Sequence, residues 1–251
     1  MDESWRMSKH LQELPLRLDE TLHLGVLVPW ANQAMEAELP LLFPQRVIWH
    51  IARLVPSSTT TVLDDDFLTG MVQAIPQAVF QLSRLPLRAL AFGCTSASSV
   101  FSEDIAGALQ VLQRAQHAVP FLTAFSALCL LLTMCQAKRI VLVAPYEHEL
   151  TLREAQVFEH HGIVVQHAAS LGYRDDIGSI SSQQILDACA ACPLDKVDAL
   201  VISCTALHTL DVIPLLEEHY HLPVLSSNTA LALASVLVAI QQLSLSLENQ
   251  L

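Results

Sequence analysis

Residues Ala89-Leu90-Ala91-Phe92-Gly93-Cys94-Thr95-Ser96 return, lightly edited, as Ala199-Leu200-Val201-Ile202-Ser203-Cys204-Thr205-Ala206. Each copy is an apolar run that ends on Cys-Thr, and the two lie 110 positions apart (204 − 94). A short apolar run bounded by polar turn formers fits a strand buried on both faces, the usual state in a parallel sheet. The repeat therefore predicts two related halves, each carrying one cysteine at the end of a strand.

The flanking sequence follows the same grammar in both halves. Strands are expected at 22–28 (stopped by Pro29), 47–54 and 88–93, then at 139–144 (stopped by Pro145), 163–168, 198–203 and 223–225. Helical stretches are expected at 32–42, from Asp64 to about 85, and at 103–116. Another runs from the apolar entry Pro120-Phe121-Leu122 to near 137, followed by 149–161, 181–190, 210–219 and 229–243. Asp64-Asp65-Asp66 suits a helix start and Gly162 a helix end. The alternation predicts an α/β fold of two pseudo-symmetric lobes, each a short parallel sheet flanked by helices, with the site in the cleft between them. The expected division is an extension at 1–20, a first lobe of 21–118 plus 226–251, and a second lobe of 119–225.

Composition narrows the function. The 251 residues suffice for two lobes with real cores, and 52% hydrophobic content argues against disorder. Thirteen Lys and Arg against 25 Asp and Glu give a net charge of −12, which disfavours nucleic acid or an anionic membrane as partner. Residues 1–20 are polar and charged, with no apolar core of a secretory signal, and the 6 cysteines are irregularly spaced. A reducing cytoplasm with free thiols is the expectation. The apolar stretch at 119–135 is short for a membrane span and includes Pro120, Thr123, Ser126 and Thr133; a buried helix is expected instead. With 7 Gly and no phosphate-binding loop, no nucleotide cofactor is expected, and the scattered histidines predict no metal.

Ligands in parallel sheets bind at the carboxyl ends of the strands. Cys94, Cys204, Asn32, Tyr146 and Ser226-Ser227-Asn228 all fall there. Backbone N–H groups in the turns after the cysteines would stabilise a thiolate or grip a substrate carboxylate. One thiolate can take a proton beside a carboxylate while the other thiol donates one. Alternatively, a thiolate adds to an activated double bond, the carbon–carbon bond rotates, and the thiolate leaves. Cys129, Cys135, Cys189 and Cys192 read as small core hydrophobes. His208, four residues past Cys204, is a further candidate base.

With these residues the chain resembles the aspartate/glutamate racemase superfamily, in the branch of maleate cis-trans isomerase and arylmalonate decarboxylase. The matching stretches are Gly25-Val-Leu-Val-Pro-Trp-Ala-Asn32, Cys94-Thr-Ser-Ala-Ser, Val143-Ala-Pro-Tyr146, Ile202-Ser-Cys204-Thr and Pro223-Val-Leu-Ser-Ser-Asn228. The resemblance implies a cofactor-independent enzyme acting on a small carboxylic acid, with Cys94 and Cys204 as the catalytic pair. It implies that Asn32 and Tyr146 position a substrate carboxylate, that the turns of Thr95, Ser96 and Thr205 bind its oxygens, and that Ser227 and Asn228 belong to the final strand-end motif. It also implies a homodimer or higher homo-oligomer, for which the apolar helix near Leu130 would serve. Two cysteines favour isomerisation or racemisation. Decarboxylation of a malonate-like acid, which needs only Cys204, and a silent metabolite-binding relative are the alternatives. Asp176 stands where maleate isomerases often carry asparagine, and a carboxylate there would repel a diacid.

Overall fold

The computed structural model describes residues 21–43, 46–57, 62–101, 105 and 119–248. The expected extension at 1–20 and nearly all of the expected helix at 103–116 lie outside these residues.

β1 (Leu22–Pro29) is buried along almost its whole length, because parallel strands lie on either side of it and helices cover its faces. It pairs with β2 (Val47–Leu54) and with β3 (Ala89–Phe92), and β4 (Phe121–Thr123) continues beyond β3. The second sheet is built from β5 (Arg139–Tyr146), β6 (Val164–Tyr173), β7 (Ala199–Ile202) and β8 (Val224–Ser226). The strand orders, β2-β1-β3-β4 and β6-β5-β7-β8, are the same arrangement twice. The repeat in the sequence is thus a repeat of topology, and β3 and β7 hold equivalent inner positions.

Nine helices of the described residues connect and cover the strands: α1 (Ala34–Leu42), α2 (Asp65–Gln73), α3 (Ile75–Leu82), α4 (Thr95–Val100), α5 (Ala124–Met134), α6 (His148–His160), α7 (Ser182–Ala190), α8 (Val212–Tyr220) and α9 (Ser227–Glu248). α5 and α9 follow the last strand of each sheet and pack on one another, and α9 also reaches α1, β1 and β3. One apolar cluster therefore joins Leu24 and Val26 of β1, Leu128 and Leu131 of α5, Leu142 of β5 and Leu231 of α9. Each such buried side chain contributes roughly 2 kcal/mol. The apolar stretch at 119–135 is accordingly a short strand and an 11-residue helix closed by a Thr123–Ser126 capping box. No helix among the described residues is long and apolar enough to cross a membrane.

Three elements differ from the sequence reading. The helix expected from Asp64 to about 85 is broken at Ala74 into α2 and α3, because Pro76 lacks the N–H that a continuous helix needs. β6 runs on to Tyr173 instead of stopping at 168, its register shifting twice against β5 and Gly172 adopting φ +79°. Pro120-Phe121-Leu122, read as the entry to a long helix, instead leads into a short strand, Phe121–Thr123, that pairs with β3 in the first sheet; three residues are too few to show a strand's alternation. Gly162, with φ +77°, does end α6 in the left-handed conformation.

Asp64 starts α2 by accepting the Phe67 N–H at 2.9 Å. Asp64→Ala should cost about 1 kcal/mol of unfolding free energy in a denaturant titration. A change within experimental error would mean that this end of α2 is held by packing instead.

Candidate active site

The strand ends of both sheets meet at a cleft of about 480 Å³. Its lining includes Asn32, Cys94, Thr95, Ser96, Cys204 and Thr205, together with Pro29, Ala31, Gln33, Leu63, Phe67, Ala206 and the loop Asp175–Ser179. Both sulfurs therefore face one space, from equivalent positions of the two halves.

Their local settings differ. Cys94 follows Gly93 with an extended backbone and stands at the N-terminus of α4. Its thiol lies 3.8 Å from the Ser96 hydroxyl. Gly93 is required by close approach: a Cβ there would fall 2.6 Å from the Met35 sulfur and 3.0 Å from the Leu27 carbonyl. Cys204 takes φ +98°, a strained value for a side-chain-bearing residue, and this turns the Ala206 N–H onto its own sulfur at 3.4 Å.

Hydrogen bonds between the halves fix the floor. Asn32 donates to the Thr205 hydroxyl at 3.2 Å, which donates to the Gly93 carbonyl at 2.8 Å. The Thr95 hydroxyl donates to the Ser227 hydroxyl at 2.8 Å, which also accepts the Cys204 N–H at 3.0 Å. Gly93, directly before Cys94, thus accepts from Thr205 of the other half, and Ser227, which holds the Cys204 N–H, is tied to Thr95 of the other half. The loop carrying Asn32 is braced by Arg53, whose guanidinium donates to the carbonyls of Trp30 (2.8 Å) and Asn32 (3.0 Å) and pairs with Glu36 at 2.6 Å. Arg53 lies within β2, where nothing in the sequence marks it as part of a site.

Tyr146 and Asn228 occupy other places than the cleft wall. Tyr146 is buried and absent from the lining, with no oxygen or nitrogen partner for its hydroxyl, whose strongest electrostatic interaction is with the Cys204 thiol. Asn228 is wholly buried and donates to Glu38 at 2.7 Å and to the Leu207 carbonyl at 3.2 Å. It was expected at the substrate because it ends the final strand motif. Instead α9 begins at Ser227, which faces Asn228 away from the lining and puts Ser227 against Cys204. His208 is not among the lining residues either. Cys129, Cys135, Cys189 and Cys192 also lie away from the cleft lining.

Electrostatics correct one expectation. The turns do supply N–H groups to the sulfurs, yet neither thiol ionises readily. Burial raises Cys94 above its ordinary value, opposed by the Ala97 N–H and the Ser96 hydroxyl. Burial pushes Cys204 up to about 12, against the smaller opposing effects of the Ala206 N–H and Tyr146. Desolvation outweighs a few dipoles because the sulfurs are almost fully covered, Cys94 with 5% and Cys204 with 7% of its surface exposed. Burial thus holds both thiols above their ordinary range.

The fold recurs among known proteins. The model of the arylmalonate decarboxylase family matches residues 24–248. The maleate isomerase of Alcaligenes faecalis is 26% identical over 226 residues, covering 83% of this chain and 87% of that protein. Among solved structures, the maleate isomerase Iso of Pseudomonas putida S16 superposes with a TM-score of 0.81 at 24% identity, covering 88% of this chain and 94% of that one. A cysteine-to-serine variant of the Nocardia farcinica maleate cis-trans isomerase, carrying a covalently bound succinylcysteine intermediate, superposes with a TM-score of 0.80 at 22% identity, covering 88% and 93%.

Proposed function

The chain belongs to the arylmalonate decarboxylase family, and we propose that it is a cofactor-independent isomerase that turns a small cis-alkenoic acid into its trans form by reversible addition of a thiol. The observation that carries this reading is the placement of Cys94 and Cys204 on one cleft from equivalent strand ends. The decarboxylase reading needs only one of them.

The neutral state of the pair favours addition over racemisation. Removing a proton from a saturated α-carbon requires a standing thiolate, which burial opposes here. Adding one S–H across one C=C bond needs no net charge. The Cys94 sulfur bonds one alkene carbon and a proton is delivered from Cys204 to the other, while the proton released by Cys94 returns to Cys204. The former double bond is now single and rotates. Reversal expels the Cys94 sulfur, restores its proton and leaves the trans alkene. The N–H groups after the two cysteines, with Asn32, hold the carboxylate that activates the alkene and stabilise the charge that develops on it. Support comes from the Nocardia relative, whose cysteine carries a succinyl group of the kind this addition produces. All six cysteines are free thiols, which suits a reducing, cytoplasmic setting.

The far end of the substrate is the second question. Asp175 and Asp176 line the cleft, and among the described residues no Lys, Arg or His does. A second carboxylate would meet these carboxyls, whereas an amide or ammonium group would hydrogen-bond to them. The proposed substrate is therefore a cis-alkenoic acid whose other end is uncharged or cationic, such as the half-amide of cis-butenedioic acid. Proton NMR of each cis acid incubated with the protein tests this. The half-amide is expected to isomerise with kcat/KM about tenfold or more above the diacid, since one misplaced charge pair at a solvent-exposed rim has this order of effect. Preference for the diacid would overturn the substrate assignment. Turnover of neither, with carbon dioxide released from a malonate in a Cys94→Ser variant, would replace isomerisation by decarboxylation.

A further inference from the structure

Two buried glutamates stand at matched places in the two halves. Each lies nine residues beyond the proline that ends or nearly ends an inner strand, Glu38 after Pro29 (38 − 29) and Glu154 after Pro145 (154 − 145). Glu38 is fully served: it accepts the N–H groups of Thr209 and Leu210 and the side-chain amide of Asn228. Glu154, with none of its surface exposed, accepts only the Ser203 hydroxyl at 2.6 Å through one oxygen, and its other oxygen has no partner. The difference has a simple origin. Asn228 stands two residues past the end of β8, and the residue two past the end of β4 is Phe125, which offers no amide.

The under-served glutamate is the one next to the chemistry. Its only bonded partner, Ser203, directly precedes Cys204, and α6, which carries Glu154, packs against α4, which Cys94 begins. The titratable groups that feel it are Cys94 at the head of α4, Cys129 on α5, Tyr146 at the end of β5 and Cys204 after β7. No cation from β5, β6 or any other described element offsets it.

We propose that Glu154 is a positioning residue of the thiol pair: it works as a neutral carboxylic acid, and its ionisation behind Cys94 and Cys204 holds both sulfurs in the unreactive protonated form. This rests on the reading of the two cysteines as the reacting pair. Burial keeps the acid neutral to unusually high pH, raising it to about 7 against the lowering effect of the Ser203 hydroxyl. The sign follows directly. Below that value the carboxyl is neutral and adds nothing to the cost of forming a thiolate. Above it, a new negative charge faces both sulfurs, so thiol reactivity climbs less with pH than a lone thiol's would.

Alkylation of the free protein by iodoacetamide tests this without requiring turnover, with peptide mapping to follow Cys94 apart from Cys129. Glu154→Gln keeps shape and removes the charge. The variant is expected to match the wild type within about twofold at pH 5.5 and to alkylate Cys94 about tenfold faster at pH 8.5, the size of effect one buried charge has on a neighbouring group. Equal rates at both pH values, or the same ratio at both, would overturn the proposal even if the isomerase reading stands. A failure of the isomerase reading would leave this rate difference untouched. Should the variant not fold, infrared titration of the wild type replaces it: a protonated carboxyl band that persists to about pH 7 is expected, and its loss by about pH 5 refutes the idea.

Discussion

Cys94→Ser is expected to lower isomerisation by about a thousandfold or more, with the fold and melting temperature little changed. A serine hydroxyl is a far weaker nucleophile than a thiol at the same place. Cys204→Ser should act differently. Addition at Cys94 must then take its proton from water and is slower, and the adduct, with no Cys204 sulfur to take that proton back, breaks down slowly. Intact-mass analysis of Cys204→Ser after incubation with substrate should show one added substrate per chain, mapped to Cys94; Cys94→Ser should show none. Unimpaired turnover by either variant would remove the two-thiol mechanism.

The strand ends that form the cleft were readable because the fold presents its site through a repeat. Apolar runs that stop at Cys-Thr located both cysteines, and Pro29 ends β1, whereas β5 runs through Pro145 to end one residue later, at Tyr146. Asn32, Thr95, Ser96 and Thr205 follow from the same rule and do line the cleft. Tyr146 and Asn228 obey that rule yet sit behind the wall, because a strand-end position does not say which way the next residue turns. For Asn228 the start of α9 at Ser227 decides that, and this start has no local signature in the sequence. The upward shift of both thiols was not legible for a related reason. Helix-end dipoles are visible in sequence, whereas the depth of burial that opposes them comes only from packing. Arg53 and Glu38 were silent because each acts on a partner far along the chain, Glu38 reaching Thr209 across 171 positions.

Glu38→Ala is the substitution expected to cost the most stability. The carboxyl is 4% exposed and joins α1 of the first half to the start of α8 and to Asn228 at the start of α9. Truncation removes the acceptor from three N–H donors at once and leaves a cavity that the rigid strand ends cannot close. Each abandoned buried donor costs on the order of 1 to 3 kcal/mol, with partial relief if water enters, so a total of about 4 kcal/mol is expected. For a chain of this size that lowers the melting temperature by about 10 °C. Glu38→Gln should lose about half as much, because its amide oxygen still accepts while its NH₂ faces donors. The pair of variants separates the hydrogen bonds from simple packing: equal losses would mean that volume alone matters at this position. The same substitution reaches the chemistry, since Thr209 also donates to Ser226, directly before the Ser227 hydroxyl that accepts the Cys204 N–H. Glu38→Ala should therefore lower kcat in proportion greater than any rise in KM, measured below its melting temperature. A variant that melts within about 2 °C of the wild type, a shift worth under about 1 kcal/mol, would show that the two halves are held by the α5–α9 packing and not by this latch.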